Sequence, residues 1–316
     1  MDCDRCSSAA VAYQAYSGQH LCDEHLSRSV RDRVRSRIRE DDLLGEAEAD
    51  DPQTWLIGLS GGKDSAVLGA ILAETLGADR RVELRGIAVH EGIDGYRDES
   101  LEAARALAEQ ADIPLTERSF AETFDVRMDD VVEDDPKQMA ACAYCGVFRR
   151  AILADVAESA DADLLLTGHN LDDECETALM NLFEGDVDQM ARHFDASLGP
   201  LDERADPGPH VPRAKPLRDV PEKEVALYAR LDGLPAHITE CPHAAESFRG
   251  EIQELMLDVE DRHPGTRHSV MAGYERLARL AAIDREAATT GRCEDCGRPS
   301  GNDRCRACEL QAALSA

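Results

Sequence analysis

Apolar positions along this chain change their period several times, and each change marks an element. Residues 55–59 form a short continuous apolar run, the pattern of a strand buried on both faces. Residues 82–90, 115–119 and 164–167 are read as further strands. Helical spacing fills the intervals, at about 64–77, 97–111, 144–160 and 171–185. Strand alternating with helix predicts βαβ units, hence an α/β fold with a parallel sheet covered on both faces. Crossovers should be right-handed, and a ligand should bind at the carboxyl ends of the strands. Before this block, Val30, Val34 and Ile38 recur every four residues and predict a helix over 27–39. Residues 120–135 are acidic and read as a solvated loop or lid, and 200–216, rich in Pro and Gly, as a loop. Helices follow over 221–232 and 244–288, the latter with Ile252, Leu255, Met256 and Val259 as its core stripe.

The first strand breaks at Ser60-Gly61-Gly62-Lys63-Asp64-Ser65 and leads into a helix. Two glycines permit φ > 0 and close approach of a ligand to the backbone. A glycine turn entering a helix N-terminus is an anion site, because free N–H groups and the helix dipole point at it. Lys63 adds a charge, and Ser60 and Ser65 add hydroxyl donors. The spacing is not that of the common nucleotide P-loop. It resembles the PP-loop of N-type ATP pyrophosphatases, which cleave ATP between the α- and β-phosphates and adenylate a carbonyl oxygen. In such enzymes the end of the next strand holds adenine, which makes Ala88 and His90 candidates. The second candidate turn, Gly168-His169-Asn170-Leu171-Asp172-Asp173-Glu174, opens another helix. Gly168 allows close approach to nucleotide, and Asp173 offers a carboxylate for magnesium or a proton. Charge matched to the helix dipole is the alternative reading of Asp172 and Asp173.

Cysteines supply the rest of the chemistry. Cys3-x-x-Cys6 and Cys22-x-x-His25 have the spacing of two zinc knuckles, and Cys293-x-x-Cys296 with Cys305-x-x-Cys308 that of a zinc ribbon. Cys142-x-x-Cys145 has no second pair nearby; Cys241-Pro242 is the distant partner that suggests a three-thiolate site, since Cys-Pro is familiar from iron–sulfur ligation. A redox dithiol, or a zinc site completed by His243, are alternatives. Cys175 reads as a small buried hydrophobe. Arg149 and Arg150 follow the knuckle, and one of them can reach an ATP phosphate.

Acidic residues outnumber basic ones 64 to 35, a net charge of −29, and only Lys63, Lys137, Lys215 and Lys223 are lysines. That balance is unusual for a partner of nucleic acid. It suits high salt, where a Debye length of about 3 Å leaves local arginine patches free to bind RNA. The arginines of 28–39 are one such patch; Arg262, His263, Arg267 and His268 are another. No run of eighteen apolar residues and no signal peptide are seen, so a cytoplasmic protein without a membrane span or disulfides is expected.

In this order the motifs resemble the tRNA 2-thiouridine synthetase family of archaeal and eukaryotic cytosolic type. The resemblance covers nearly the whole chain. It implies an adenine nucleotide alpha-hydrolase-like sheet flanked by zinc fingers, divided as 1–50 (finger and Arg-rich helix), 51–240 (PP-loop domain), 241–288 (helical segment) and 289–316 (zinc ribbon). It implies ATP, Mg2+, two Zn2+ sites, and a [4Fe-4S] cluster or persulfide chemistry on Cys142, Cys145 and Cys241. Lys63, Arg149, Asp173, Cys142 and Cys241 would carry catalysis: adenylation of a uridine C2 oxygen, then sulfur transfer. Sulfur would come from a ubiquitin-like thiocarboxylate carrier, the target would be the wobble uridine, and the enzyme would be a homodimer. Another PP-loop adenylase, or a non-catalytic zinc-finger RNA-binding protein, are the rival readings.

Overall fold

A computed structural model describes residues 1–134, 137–198, 200–204, 210–239, 241–243, 248–284 and 291–315. Strands β1 (Ala12–Gln14) and β2 (Gln19–Leu21) form a hairpin that leads into helix α1 (Asp23–Glu40). Next come β3 (Gln53–Gly58), α2 (Lys63–Leu76), β4 (Val82–His90), α3 (Tyr96–Gln110) and β5 (Leu115–Ser119). Then follow α4 (Phe120–Phe124), α5 (Met128–Asp134), α6 (Ala141–Ser159), β6 (Leu164–Leu166), α7 (Leu171–Glu184) and α8 (Val187–His193). The chain continues with β7 (Arg213–Ala214), α9 (Glu222–Leu231), α10 (Phe248–Arg262), α11 (Thr266–Asp284), the hairpin β8 (Gly291–Arg292) and β9 (Pro299–Ser300), and α12 (Arg306–Leu314).

The central sheet runs β5-β4-β3-β6-β7 with every pairing parallel. Leu56 and Leu165 stand on one face; Trp55, Ile57, Leu164 and Leu166 stand on the other. Both faces are buried, which is why these strands read as unbroken apolar runs. Sequence order reverses between β3 and β6. The loops after these two strands therefore flank the crevice where α/β sheets bind ligands.

Two expectations change. Residues 213–214 pair with β6 as an edge strand rather than forming a plain loop. The acidic stretch is helical up to 134, with Phe120, Phe124, Met128 and Val131 buried beneath its charges; Asp135 lies outside the described residues. Residues 244–247 and 285–288 of the expected helical segment, and Pro207 to Pro209 of the loop, also lie outside them.

The Arg-rich helix docks on the core through Val30, Val34 and Ile38. Its arginines are mostly committed to carboxylates: Arg28 to Glu24 (2.7 Å), Arg31 to Glu74 (3.1 Å), Arg33 to Glu224 (3.1 Å) and Arg37 to Asp219 (2.5 Å). It is a strap over helices α2 and α9 more than a free RNA-binding face. Arg267 is buried against Asp172 (2.8 Å), and half-buried His268 packs on Tyr16, so both are engaged within the fold. Among the described residues, no helix is long and apolar enough to cross a membrane.

Candidate active site

Gly61 lies at φ +81, and a Cβ there would fall 1.8 Å from the Ser100 carbonyl oxygen. Only glycine fits that turn. Gly62 has an ordinary φ of −82 and is the N-cap of α2, so the freedom expected of both glycines is used by one. Ser60 Oγ donates to Ser65 Oγ (3.1 Å), and Ser65 Oγ also lies 2.9 Å from the Gly62 carbonyl. The turn is thereby closed with the first amides of α2 facing the crevice. Lys63 Nζ holds Glu222 (2.7 Å) and Asp64 (3.1 Å). Burial pulls its pKa down, but the two carboxylates more than offset that and keep it above the usual lysine range.

The turn after β6 meets this loop directly. A Cβ on Gly168 would lie 2.9 Å from the backbone of Asp64 and Ser65. Asn170 caps α7 and donates from Nδ2 to Asp64 (3.0 Å), while Asp173 accepts the Asn170 N–H (3.0 Å). Burial pushes the Asp173 carboxyl up, against that N–H and with Asp64 and Glu176 adding, to about 7. Two carboxyls side by side at one crevice suit a divalent cation. Asp172 is different: it accepts the Glu222 N–H (2.8 Å) and pairs with Arg267, bracing helices rather than facing the crevice.

Ala88 is buried in β4. His90 accepts the Gly92 N–H on Nδ1 (3.0 Å), and its Nε2 lies 3.3 Å from Asp98. Both ring nitrogens are engaged in shaping the turn after β4. Burial, with help from Lys215, lowers the His169 imidazole to about 4, so it is neutral near pH 7. Lys215 in turn salt-bridges the buried Glu174 (2.7 Å), which also holds His193 (3.1 Å).

On the other wall, Cys142 and Cys145 occupy the first turns of α6. Cys241 reaches the same place because its approach is stitched to the glycine turn: His237 N–H donates to the Gly61 carbonyl (2.8 Å). Four residues of chain span at most about 14 Å. Cys145 and Cys241 pack against one apolar cluster. Burial raises both thiols, Cys145 to about 11, with Cys241 and Cys142 adding to the rise of Cys145 and Cys142 to that of Cys241. Among the described residues, only two groups of potential ligands crowd within 4.8 Å of one another, and these three are not one of them. Their donor set therefore fits thiolates on separate irons better than a single ion. His243, the alternative fourth ligand, is held by Asp129 (2.6 Å).

Arg149 lies between the two walls. It donates to Cys145 Sγ (3.1 Å) and pairs with Glu91 (2.8 Å). Glu91, with Arg97 beyond it, was not visible as a site in the sequence. The available signal was a run of charged residues among Gly92 and Gly95 directly after a strand end.

The two crowded groups are Cys3, Cys6, Cys22 and His25, and Cys293, Cys296, Cys305 and Cys308. Cys6 to Cys22 is 3.7 Å, Cys293 to Cys308 3.9 Å and Cys296 to Cys305 3.6 Å. Bonds of 2.3 Å from a tetrahedral ion give sulfur–sulfur edges of about 3.8 Å. Cys305 N–H donates to Cys293 Sγ (3.2 Å), and with other knuckle amides holds that thiol down to about 6. Both sets fit a structural tetrahedral ion.

A glycine turn at the reversal point of a parallel sheet, with a lysine and two carboxyls around it, defines a PP-loop ATP-binding protein; the PP-loop domain family matches residues 32–238. The N-terminal LIM domain of 2-thiouridine synthetase TtuA matches residues 2–27. The chain is 59% identical to tRNA 2-thiolation protein NcsA of Haloferax volcanii over the full length of both. It is 36% identical to cytoplasmic tRNA 2-thiolation protein 1 of Bos taurus, covering 99% of this chain and 88% of that one. U34-tRNA thiolase NcsA from Methanococcus maripaludis, solved with its [4Fe-4S] cluster, superposes with a TM-score of 0.83 at 33% identity, covering 99% and 96%. This chain belongs to the tRNA 2-thiolation protein family.

Proposed function

We propose that the protein is an ATP-dependent, AMP-forming tRNA-uridine 2-sulfurtransferase acting at the wobble uridine. The observation that carries the reading is the meeting of the glycine turn, the Asp64 and Asp173 pair and the Cys145 wall in one crevice, with Arg149 between them. The turn amides and the α2 dipole receive the phosphates of ATP. Lys63 exchanges part of its pairing with Asp64 and Glu222 for phosphate oxygens, and Asp64 and Asp173 would hold Mg2+, which would neutralise phosphate charge. The uridine, extruded from its stack, offers its C2 oxygen to the α-phosphorus, and pyrophosphate leaves. Arg149 and the turn amides stabilise charge gathering on the α-phosphate. The thiocarboxylate sulfur of a ubiquitin-like carrier then attacks C2 and displaces AMP, and water cleaves the acyl–sulfur bond to release 2-thiouridine and the carrier as its carboxylate. Cys142, Cys145 and Cys241 would hold a [4Fe-4S] cluster, which supplies an iron open to incoming sulfur.

Arg150 and Arg213 have no carboxylate partner among the described residues; Arg150 feels the charge of Arg149, and Arg213 that of Arg150. They suit RNA phosphates. Zn2+ at the two end sites rigidifies segments outside the 51–240 catalytic domain, and a homodimer is expected from the family. Nucleoside mass spectrometry of tRNA from cells lacking the protein tests the reading. Wobble 2-thiouridine should vanish, return with the wild-type chain, and stay absent with Lys63→Ala; tRNA still thiolated in the deletion strain would sink it.

A further inference from the structure

The nucleotide loop and the cysteine wall are joined by a buried chain of charge. Glu91 follows β4 and is 2% exposed; Arg97, in the first turn of α3, is 4% exposed. One Glu91 carboxylate oxygen contacts Arg149 (2.8 Å) and the other contacts Arg97 Nε (2.5 Å). Arg97 in turn donates to the Ser60 carbonyl of the glycine turn (3.0 Å) and to the Val89 carbonyl of β4. Arg149 ends the chain at Cys145 Sγ (3.1 Å). Gly92, at φ +77, fixes the backbone beside Glu91, where a Cβ would lie 2.9 Å from Arg127.

We propose that Glu91 is a positioning residue, a buried carboxylate whose two oxygens hold Arg149 beside Cys145 in fixed register with the loop that seats ATP. The geometry argues for this over a purely structural ion pair. Arg97 alone would need only one of the two oxygens. The other is spent on an arginine whose side chain is 48% exposed, the half-open cation of the crevice. A guanidinium anchored by a carboxylate on one side and a sulfur on the other keeps a single orientation, so its remaining N–H groups face the reacting phosphate without reorganisation. Arg97 transmits the same constraint to the Ser60 carbonyl. A shift of the cysteine wall relative to the glycine turn must then break a buried, doubly paired carboxylate. The inference deepens the thiolation reading and rests on it for the identity of the reaction, though not for the geometry.

The test uses Glu91→Gln, which keeps the side chain's shape and removes its charge, in wild-type and Arg149→Ala backgrounds. Two readouts are AMP formation from ATP with tRNA, and the visible circular dichroism of anaerobically reconstituted protein. Glu91→Gln should lower kcat on the order of 10–100-fold, as loss of an orienting partner does, with KM for ATP within about threefold of wild type. In the Arg149→Ala background the same change should cost less than about twofold, because coupled residues are not additive. The dichroism of the cluster should shift with Glu91→Gln in the wild-type background and not in the Arg149→Ala background, since the hydrogen bond to Cys145 is what moves. Costs that multiply across the two backgrounds, or a rise in KM alone, overturn the proposal. Wild-type protein that makes AMP without thiolated tRNA would reject the sulfur-transfer reading while leaving the cycle to decide on Glu91. Wild-type protein with neither AMP formation nor chromophore would overturn both.

Discussion

Replacing Asp173 with Asn should make the metal-free protein more stable and nearly inactive. Asp173 faces Asp64 across Asn170, and burial with neighbouring charge lifts its carboxyl from 3.8 to about 7. A rise of about 3 pKa units at 1.36 kcal/mol each is at most ~4 kcal/mol of native-state cost once the group is ionised. Partial exposure to the crevice, and loss of the charged acceptor for the Asn170 N–H, cut the expected gain to about 1–2 kcal/mol. The sign follows from proton binding. The folded carboxyl holds its proton more tightly than the unfolded one, so stability falls as pH rises between about 4 and 7. Asp173→Asn should therefore raise Tm by roughly 2–4 °C near pH 8, and the gap should narrow towards pH 5. Thermal melts in molar KCl without added Mg2+ measure this. ATP turnover should drop at least about 100-fold, since one ligand of the ion at the phosphates is gone. If Asp173→Asn lowers Tm equally at both pH values, Asp173 is only a helix cap and the cation site is wrong.

Other consequences follow from the same geometry. Gly61→Ala places a methyl 1.8 Å from Ser100 O at a φ of +81, so calorimetry should find ATP binding weakened at least about tenfold; unchanged binding would refute the turn as the phosphate seat. Metal analysis should return two zinc ions per chain, one lost in Cys22→Ser and the other in Cys305→Ser, with retention of both in either variant counting against the sites. Iron in reconstituted protein should fall in Cys142→Ser and Cys241→Ser yet persist in His243→Ala, because that imidazole is held by Asp129; iron loss in His243→Ala would restore the alternative ligand. With a net charge of −29, Tm should climb with salt as self-repulsion is screened, and a salt-independent melting curve would remove the halophilic reading.

The central strands were legible because β3 and β6 are buried on both faces and read as unbroken apolar runs. Residues 82–90 are apolar only in their second half and 115–119 are mostly polar, yet the structure ends β4 and β5 at those same residues. β7 was hidden because two residues, Arg213 and Ala214, give no period and lie in a Pro-rich stretch. Helices α4 and α5 were masked by their acidic outer faces, although Phe120, Phe124, Met128 and Val131 have the spacing of a buried stripe. The glycine turn and the knuckles were legible because each is local in sequence. The arginines of α1 misled because their partners Glu74, Asp219 and Glu224 lie far along the chain. Glu91 escaped for the same reason: its roles depend on Arg97 and Arg149, which only the fold brings to one carboxylate.

The most direct measurement is the ratio of AMP to 2-thiouridine formed on unmodified tRNA by anaerobically reconstituted protein given ATP and a sulfur donor. One AMP per thiolated uridine, with thiolation abolished in Cys241→Ser, is the predicted result. Undiminished 2-thiouridine from Cys241→Ser, or sulfur transfer without AMP, would contradict a crevice in which the glycine turn and the three thiols act on one base.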